Sequence, residues 1–235
     1  MVCPFFNFLK KKEDSVLKKN LAILLSLFLI SSLSAIKIVF EGVPESGKST
    51  LIKFFEEKGF KTIPEAATLV IENALKKGKK HPVLADPEKF QADIIDMQIK
   101  LEKDIKEEEE IAFLDRVPIS SFGYAKHRKH PLPPESEIKA RKHIKKSEYD
   151  IIFLPEPLPY KEDEIRKEKP EEIKEIFDTM WETCLDFGFR PENNDLFILP
   201  KFSAKTKEEE IKWRAYFIVE IIYKNFGIAI DTSNW

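Results

Sequence analysis

Apolar positions along the chain switch repeatedly between strand-like and helix-like spacing. Ile36, Ile38, Val39 and Phe40 form a β-branched and aromatic run that stops at Gly42, which predicts a first strand. Directly after it, Leu51, Ile52, Phe54 and Phe55 recur at helical spacing up to Gly59, a residue suited to ending a helix. The stretch FKTIPEA at 60–66 predicts a short second strand, and residues 66–77 a helix ended by Gly78. From Asp86, an N-cap followed by Pro87 and Glu88, the positions Phe90, Ile94, Ile95, Met97, Ile99, Leu101 and Ile105 predict a long helix with one apolar face.

The alternation continues to the C-terminus. IAFLDR predicts a buried third strand ending in Asp115 and Arg116. Residues 117–134 contain four prolines and predict an extended loop with one helical turn at 122–126, followed by a basic helix over 135–147. YDIIFLP and DLFILP are the fourth and fifth strands. Between them lie the charged, proline-broken segment EPLPYKEDEIRKEKP and an amphipathic helix that Gly188 ends. KEEEIKWRAYFIVEIIYKNFG is a last long helix, and IAIDTSNW a short edge strand. Strand and helix in strict succession predict an α/β fold, a parallel sheet with helices on both faces.

At 235 residues the chain suits one α/β domain with an attached segment. Lys and Arg number 39 against 41 Asp and Glu, a balance of -2 that argues against a surface coating nucleic acid. Charge is concentrated in KHRKH (126–130) and KARKHIKK (139–146), which read either as a solvated face or as a surface for an anionic lipid or protein partner. Three of the four histidines fall there, without the carboxylate or cysteine spacing of a metal site. Cys3 and Cys184 form no disulfide framework, which leans toward a reducing, cytoplasmic setting.

The N-terminus departs from this order. After the basic stretch LKKKEDSVLKKN, Leu21–Ala35 is an apolar run of 15 residues, short of the roughly 20 that span a bilayer. Its shape also resembles a signal peptide. Residues 1–34 are read as a basic and apolar leader, with membrane association through 21–35, and 35–235 as the catalytic domain.

The chemistry concentrates at EGVPESGKST. Gly42, Gly47, Lys48 and Ser49 satisfy G-x-x-x-x-G-K-S: the glycines let backbone N–H groups wrap a phosphate, Lys48 supplies a cation and Ser49 a hydroxyl for Mg²⁺. Strand before and helix after aim a helix N-terminus at the anion, and the whole loop, Gly42, Val43, Pro44, Glu45, Ser46, Gly47, Lys48, Ser49 and Thr50, is assigned to nucleotide binding. In such sheets ligands lie beyond the carboxyl ends of the strands, which brings four places together. Glu65 reads as a base or hydrogen-bond acceptor for an acceptor hydroxyl, or as a helix-start carboxylate. Asp115 reads as a Mg²⁺ ligand alongside Ser49, or as half of an ion pair, and Arg116 as a phosphate-binding fork. Arg166 lies in a charged connection at about 155–170 that reads as a lid. Gln91 and Gln98 are candidates for reading a base edge, and Phe122 and Tyr124 for stacking on a flat substrate.

IVFEGVPESGKST, TIPEAA, MQIKLE, FLDR, YDIIFLPEPLPY, DEIR and KEEEIKWR, in this order, resemble the NadR-like AAA domain family of P-loop ATPases, which is similar to nucleoside and nucleotide kinases. The resemblance runs from about Ile36 to about Gly227. It implies a P-loop NTPase three-layer sandwich with strand order 2-3-1-4-5, ATP-Mg²⁺ or GTP-Mg²⁺ as cofactor, and phosphoryl transfer to a small nucleoside-like or nucleotide-like acceptor. It implies that Lys48 and Ser49 hold nucleotide and magnesium, that Glu65, Asp115 and Arg116 face the acceptor, and that Arg166 is the lid arginine. The family usually carries small residues and Asp-Gly before that arginine, where this chain has Glu164 and Ile165. Some relatives are regarded as GTP- and phosphoinositide-binding trafficking proteins, which makes a nucleotide-dependent regulatory protein the alternative reading. The chain has no Asn-Lys-x-Asp segment to specify guanine.

Overall fold

The protein is described by a computed structural model covering residues 34–78, 80–106, 109–158 and 172–235. The chain divides into two units, Met1–Ala35 with Lys106–Glu110, and Ile36–Ile105 with Ile111–Trp235. The first falls largely outside the described residues, as does the apolar run at 21–33. Among the described residues, no helix is long and apolar enough to cross a membrane.

The second unit is built on five parallel strands: β1 (Ile36–Phe40), β2 (Lys61–Ile63), β3 (Ile111–Asp115), β4 (Ile151–Pro155) and β5 (Leu196–Leu199). Their order in the sheet is β2-β3-β1-β4-β5, with β1 at the centre. Phe40 is level with Asp115 on one side and with Phe153 on the other, so the ends of β1, β3 and β4 open at one edge. β1, β3 and β4 are apolar almost throughout because both sheet faces are covered.

Side chains alternate across the strands and divide the core into two layers. On one face Ile38, Phe40, Phe113, Ile151 and Phe153 pack against two helices, α1 (Lys48–Glu57) and α8 (Lys207–Phe226). Phe55 from α1 lies 3.8 Å from Phe113 with the rings 9° from parallel, and Phe40 stacks between Phe113 and Phe153. Emptying the Phe55 position would cost about 3–5 kcal/mol. The other helices are α2 (Ala66–Lys76), α3 (Pro82–Ala85), α4 (Pro87–Glu102), α5 (Ile119–Arg128), α6 (Pro134–Ser147) and α7 (Glu172–Asp186). Ile95 of α4, Leu132 of the segment before α6, and Ala140 of α6 form one apolar cluster, and Val43 with Ile173 and Ile176 of α7 another.

Local signals set the boundaries. Asp86 caps α4 by accepting from Lys89 N at 2.9 Å, and Thr206 caps α8 by accepting from Glu209 N. Gly227, at φ 73°, ends α8 in the left-handed conformation that glycine adopts without strain.

Two expectations from the sequence are corrected. Residues 119–128 form a full helix, not a loop with a single turn. Pro118 stands at the N-cap, where its missing N–H costs no helical bond, and Gly123 lets α7 come close: a Cβ there would sit 2.7 Å from Met180 Sδ. The C-terminal stretch forms no strand; Ile228, Ile230 and Trp235 instead pack on the core by side chain, with Trp235 edge-on to Phe54 at 5.2 Å.

Candidate active site

The turn between β1 and α1 is wound by residues in left-handed conformations, Gly42 (φ 117°), Glu45 (φ 59°) and Gly47 (φ 84°). Gly47 is also the N-cap of α1 and provides no side-chain cap, so the first N–H groups of the helix remain directed out of its end. Two hydrogen bonds to the Val43 carbonyl draw the loop into a ring, one from Ser46 Oγ at 2.9 Å and one from Lys48 Nζ at 2.5 Å. Burial, reinforced by the Arg116 charge, lowers the Lys48 ammonium to about 8, against the opposing pull of Asp115, Glu65 and Glu41. The Val43 side chain sits in the apolar cluster with α7, so this residue serves the loop through its carbonyl.

Ser49 Oγ donates to Asp115 Oδ2 at 2.7 Å, while Asp115 Oδ1 is buried without a hydrogen-bond partner. Burial raises the Asp115 carboxyl, and the nearby Glu65 charge raises it further. An orphaned carboxylate oxygen beside a serine hydroxyl fits a hard divalent cation whose remaining ligands are water and phosphate oxygens. No cluster of three or more His, Cys, Asp or Glu side chains that would bind a metal without such help occurs among the described residues.

After Asp115 the chain turns through Arg116 at φ 70°, a strained conformation for a side chain of this kind. The Glu41 carboxylate holds the turn: its Oε1 accepts from Val117 N at 2.9 Å and from Ser120 Oγ at 3.1 Å. Glu41 is fully buried, and burial pushes its carboxyl up to about 7 although Arg116 pulls it down. The Arg116 guanidinium pairs with Glu65 (Nε to Oε1, 2.7 Å) and donates to Tyr124 OH at 3.3 Å. Burial alone would raise the Glu65 carboxyl, but the Arg116 and Lys48 charges and the Thr68 hydroxyl at 2.8 Å hold it below the ordinary carboxylate range. Tyr124 presents its ring to both Arg116 and Arg128, at 5.3 and 5.2 Å.

Of these groups Ser46, Lys48, Ser49, Glu65, Arg116 and Tyr124 line one cavity of about 600 Å³, whereas Glu41 and Asp115 are buried and are not part of its lining. The lining includes the loop residues from Pro44 to Thr50 together with Glu65 and Arg116. Ile71 of α2, Phe90, Gln91 and Ile94 of α4, and Lys207, Ile211 and Arg214 of α8 also line it. Both glutamines line the cavity; Gln98 is otherwise buried and its amide nitrogen donates to Glu102 Oε1 at 3.1 Å. Tyr124 reaches the cavity; Phe122 is a core residue packed on Phe187. Arg166 and most of the expected lid lie outside the described residues. In the basic region, Lys126 pairs with Glu182 and Asp186, Lys139 with Asp96, Arg141 with Glu137, and His143 with Glu102.

Sequence reasoning missed two residues. Glu41 stands between an apolar strand and the first glycine, a position where a carboxylate has to be buried. Arg214 falls within the apolar stripe Ile211, Ala215, Ile218 and Ile222 of α8, and that interruption was its visible signal.

Residues 37–193 match the family model described as AAA domain. No curated protein matches the chain. Among solved structures it is similar to NadR protein in complex with NR, at 20% identity and TM-score 0.62 over 84% of this chain and 52% of that one. A second NadR structure, with NAD and AMP-PNP, matches at 19% identity and TM-score 0.60 over 86% of this chain and 52% of that one. Thymidylate kinase from Ehrlichia chaffeensis matches at 16% identity and TM-score 0.52 over 80% of this chain and 99% of that one. The chain spans about half the length of the NadR chains, and at these identities the likeness is one of fold. With the family match covering most of the sheet and its glycine loop, the chain belongs to the AAA domain family of P-loop proteins.

Proposed function

We propose that this protein is a P-loop phosphotransferase that moves the γ-phosphoryl group of ATP or GTP to a hydroxyl of a small nucleoside-like acceptor. The observation that carries the reading is the Glu65–Arg116 pair at 2.7 Å, set on the wall of the same cavity as the Lys48 loop. Held by Arg116, the Glu65 carboxylate is placed to accept the proton of an incoming hydroxyl. The family match and the NadR and thymidylate kinase folds support the kinase class.

In this mechanism the loop N–H groups and Lys48 bind the polyphosphate and draw charge toward the leaving oxygen. The Glu65 carboxylate takes the proton of the acceptor hydroxyl as that oxygen bonds to the γ-phosphorus. The bond from that phosphorus to the β–γ bridging oxygen breaks, and the nucleoside diphosphate leaves. Arg116 orients Glu65 and faces the transferred group. Ser49 and Asp115 would hold Mg²⁺, which when bound offsets phosphate charge.

Within the same reading, residues 35–235 form the kinase domain, 155–170 its lid with Arg166 closing on the transferred group, and 1–34 a leader or anchor on a cytoplasmic protein. Phosphoinositide or protein binding through 126–146 is the weaker alternative, because Lys126, Lys139 and Arg141 there already face carboxylates.

The test is transfer from γ-labelled ATP by the full chain with Mg²⁺, offered nucleosides, nucleotides and inositol phospholipids in separate pools, with Lys48→Ala as control. Lys48-dependent label on a nucleoside supports the proposal. Label on a nucleotide or lipid, or nucleotide binding with no transfer, overturns it.

A further inference from the structure

Arg214 comes from α8, beyond the end of the family match at residue 193, yet it reaches the loop between β1 and α1. Its side chain is 2% exposed, and Nη1 donates to the Ser46 carbonyl at 2.7 Å. The contact is close enough that a Cβ on Gly47 would stand 3.2 Å from Nη1, a tight approach, and the φ of 84° favours glycine independently. Glu210 Oε1 stands 3.4 Å from Nη2, but Nε and Nη2 are both buried without a hydrogen-bond partner. Burying a guanidinium with two nitrogens unpartnered is expensive, and Met or Leu would fill an apolar stripe more cheaply. Burial pulls the Arg214 guanidinium below its ordinary value, while the Glu210 and Glu156 charges oppose this.

The peptide joining Ser46 to Gly47 explains what is gained. A trans peptide is planar, with C=O and N–H pointing in opposite directions. Fixing the Ser46 oxygen toward α8 therefore turns the Gly47 N–H to the other side. Other parts of the loop are anchored separately, through the Val43 carbonyl by Ser46 Oγ and Lys48 Nζ. The Ser46–Gly47 peptide is the part that α8 holds.

We propose that Arg214 is a positioning residue of the phosphate loop, which orients the Gly47 N–H toward a bound polyphosphate and adds a buried positive charge behind it. This rests on the nucleotide-binding reading above. The role is selective: it bears on the phosphates past the first one, which sit in the loop, and leaves base, ribose and acceptor contacts alone.

The test is calorimetric titration of the full chain and of Arg214→Lys and Arg214→Met with AMP, ADP and AMP-PNP in Mg²⁺, with thermal unfolding of each variant. The expected result for Arg214→Met is an affinity for ADP and AMP-PNP lowered by about 10- to 100-fold, the scale of a charge-assisted hydrogen bond, with AMP affinity changed far less. Arg214→Lys keeps the charge and one donor, so it recovers part of the loss; it decides the matter alone if Arg214→Met fails to fold. An equal loss for AMP and ADP, or no loss for either, overturns the proposal while the nucleotide reading stands. Failure of the unaltered protein to bind ADP overturns both.

Discussion

Ser49 Oγ lies 2.7 Å from Asp115 Oδ2, which ties the first turn of α1 to the end of β3. The same carboxylate keeps its other oxygen buried and unpaired. Asp115→Asn preserves an acceptor for Ser49 but removes the charge that a divalent cation needs. We expect the variant to bind ADP in EDTA about as well as the unaltered protein, and to lose the affinity gained on adding Mg²⁺, a loss of about tenfold or more. ADP titrations with and without Mg²⁺ measure this; a Mg²⁺ effect that persists in the variant removes Asp115 from the metal site.

Lys48 shares the Val43 carbonyl with Ser46 Oγ, so removing the lysine leaves that oxygen with a donor. Lys48→Ala is therefore expected to weaken nucleotide binding by about 10- to 100-fold, and to shift Tm by less than about 4 °C. Calorimetry paired with thermal unfolding checks both. Collapse of the fold would mean that the lysine is primarily structural.

Glu65→Gln keeps the Thr68 contact and the size of the side chain, but removes the base. Transfer should fall by about 10²- to 10⁴-fold, the usual range for a positioned general base. Donor affinity should change far less than transfer, because the hydrogen bonds within the loop are kept, although the pull of the Glu65 charge on Lys48 is lost. Single-turnover rates and ADP affinity separate these effects, and unchanged transfer would take the base role away from Glu65.

The parts of this molecule that were legible in sequence are those written in local pattern. The run from Ile36 to Phe40, the glycine spacing of 42 and 47, and the caps at Asp86 and Gly227 each carry their own signal, and the sheet follows from their alternation. Helix α5 was not legible because its signal is tertiary. The four prolines at 117–134 read as a loop, yet one stands at the helix N-cap and three lie beyond its end, and what holds the helix is the close approach of α7 at Gly123, with Met180 where a Cβ would stand. Glu41 and Arg214 are harder for the same reason. Each was visible as a charge among apolar neighbours, but Glu41 acquires its role from Val117 and Ser120, 76 and 79 residues away, and Arg214 from Ser46, 168 residues away. Glu65 and Arg116 were each marked by lying just past a strand, whereas their 2.7 Å pairing required β2 and β3 to be neighbours.

Glu41 gives a prediction about stability that does not depend on any ligand. Its carboxyl is fully buried and is raised from an ordinary value of 4.5 to about 7. Between those values the unfolded chain has released the proton and the folded chain still holds it, so the folded state binds more protons. Stability therefore falls as pH rises through this window and levels off above about 7, with a contribution of at most about 3 kcal/mol. Glu41→Gln keeps Oε1 as acceptor for Val117 N and Ser120 Oγ but does not titrate. Urea unfolding of both proteins at about pH 5 and about pH 8, repeated with Lys48→Ala in each, isolates the effect: groups remote from Glu41 cancel in the difference, and Lys48, which titrates near 8 and is coupled to Glu41, is taken out of it. The variant should gain on the unaltered protein by about 2–3 kcal/mol between the two conditions. A difference that stays the same at both pH values would mean that Glu41 keeps one protonation state throughout, and that its charge is compensated by Arg116 more fully than its burial suggests.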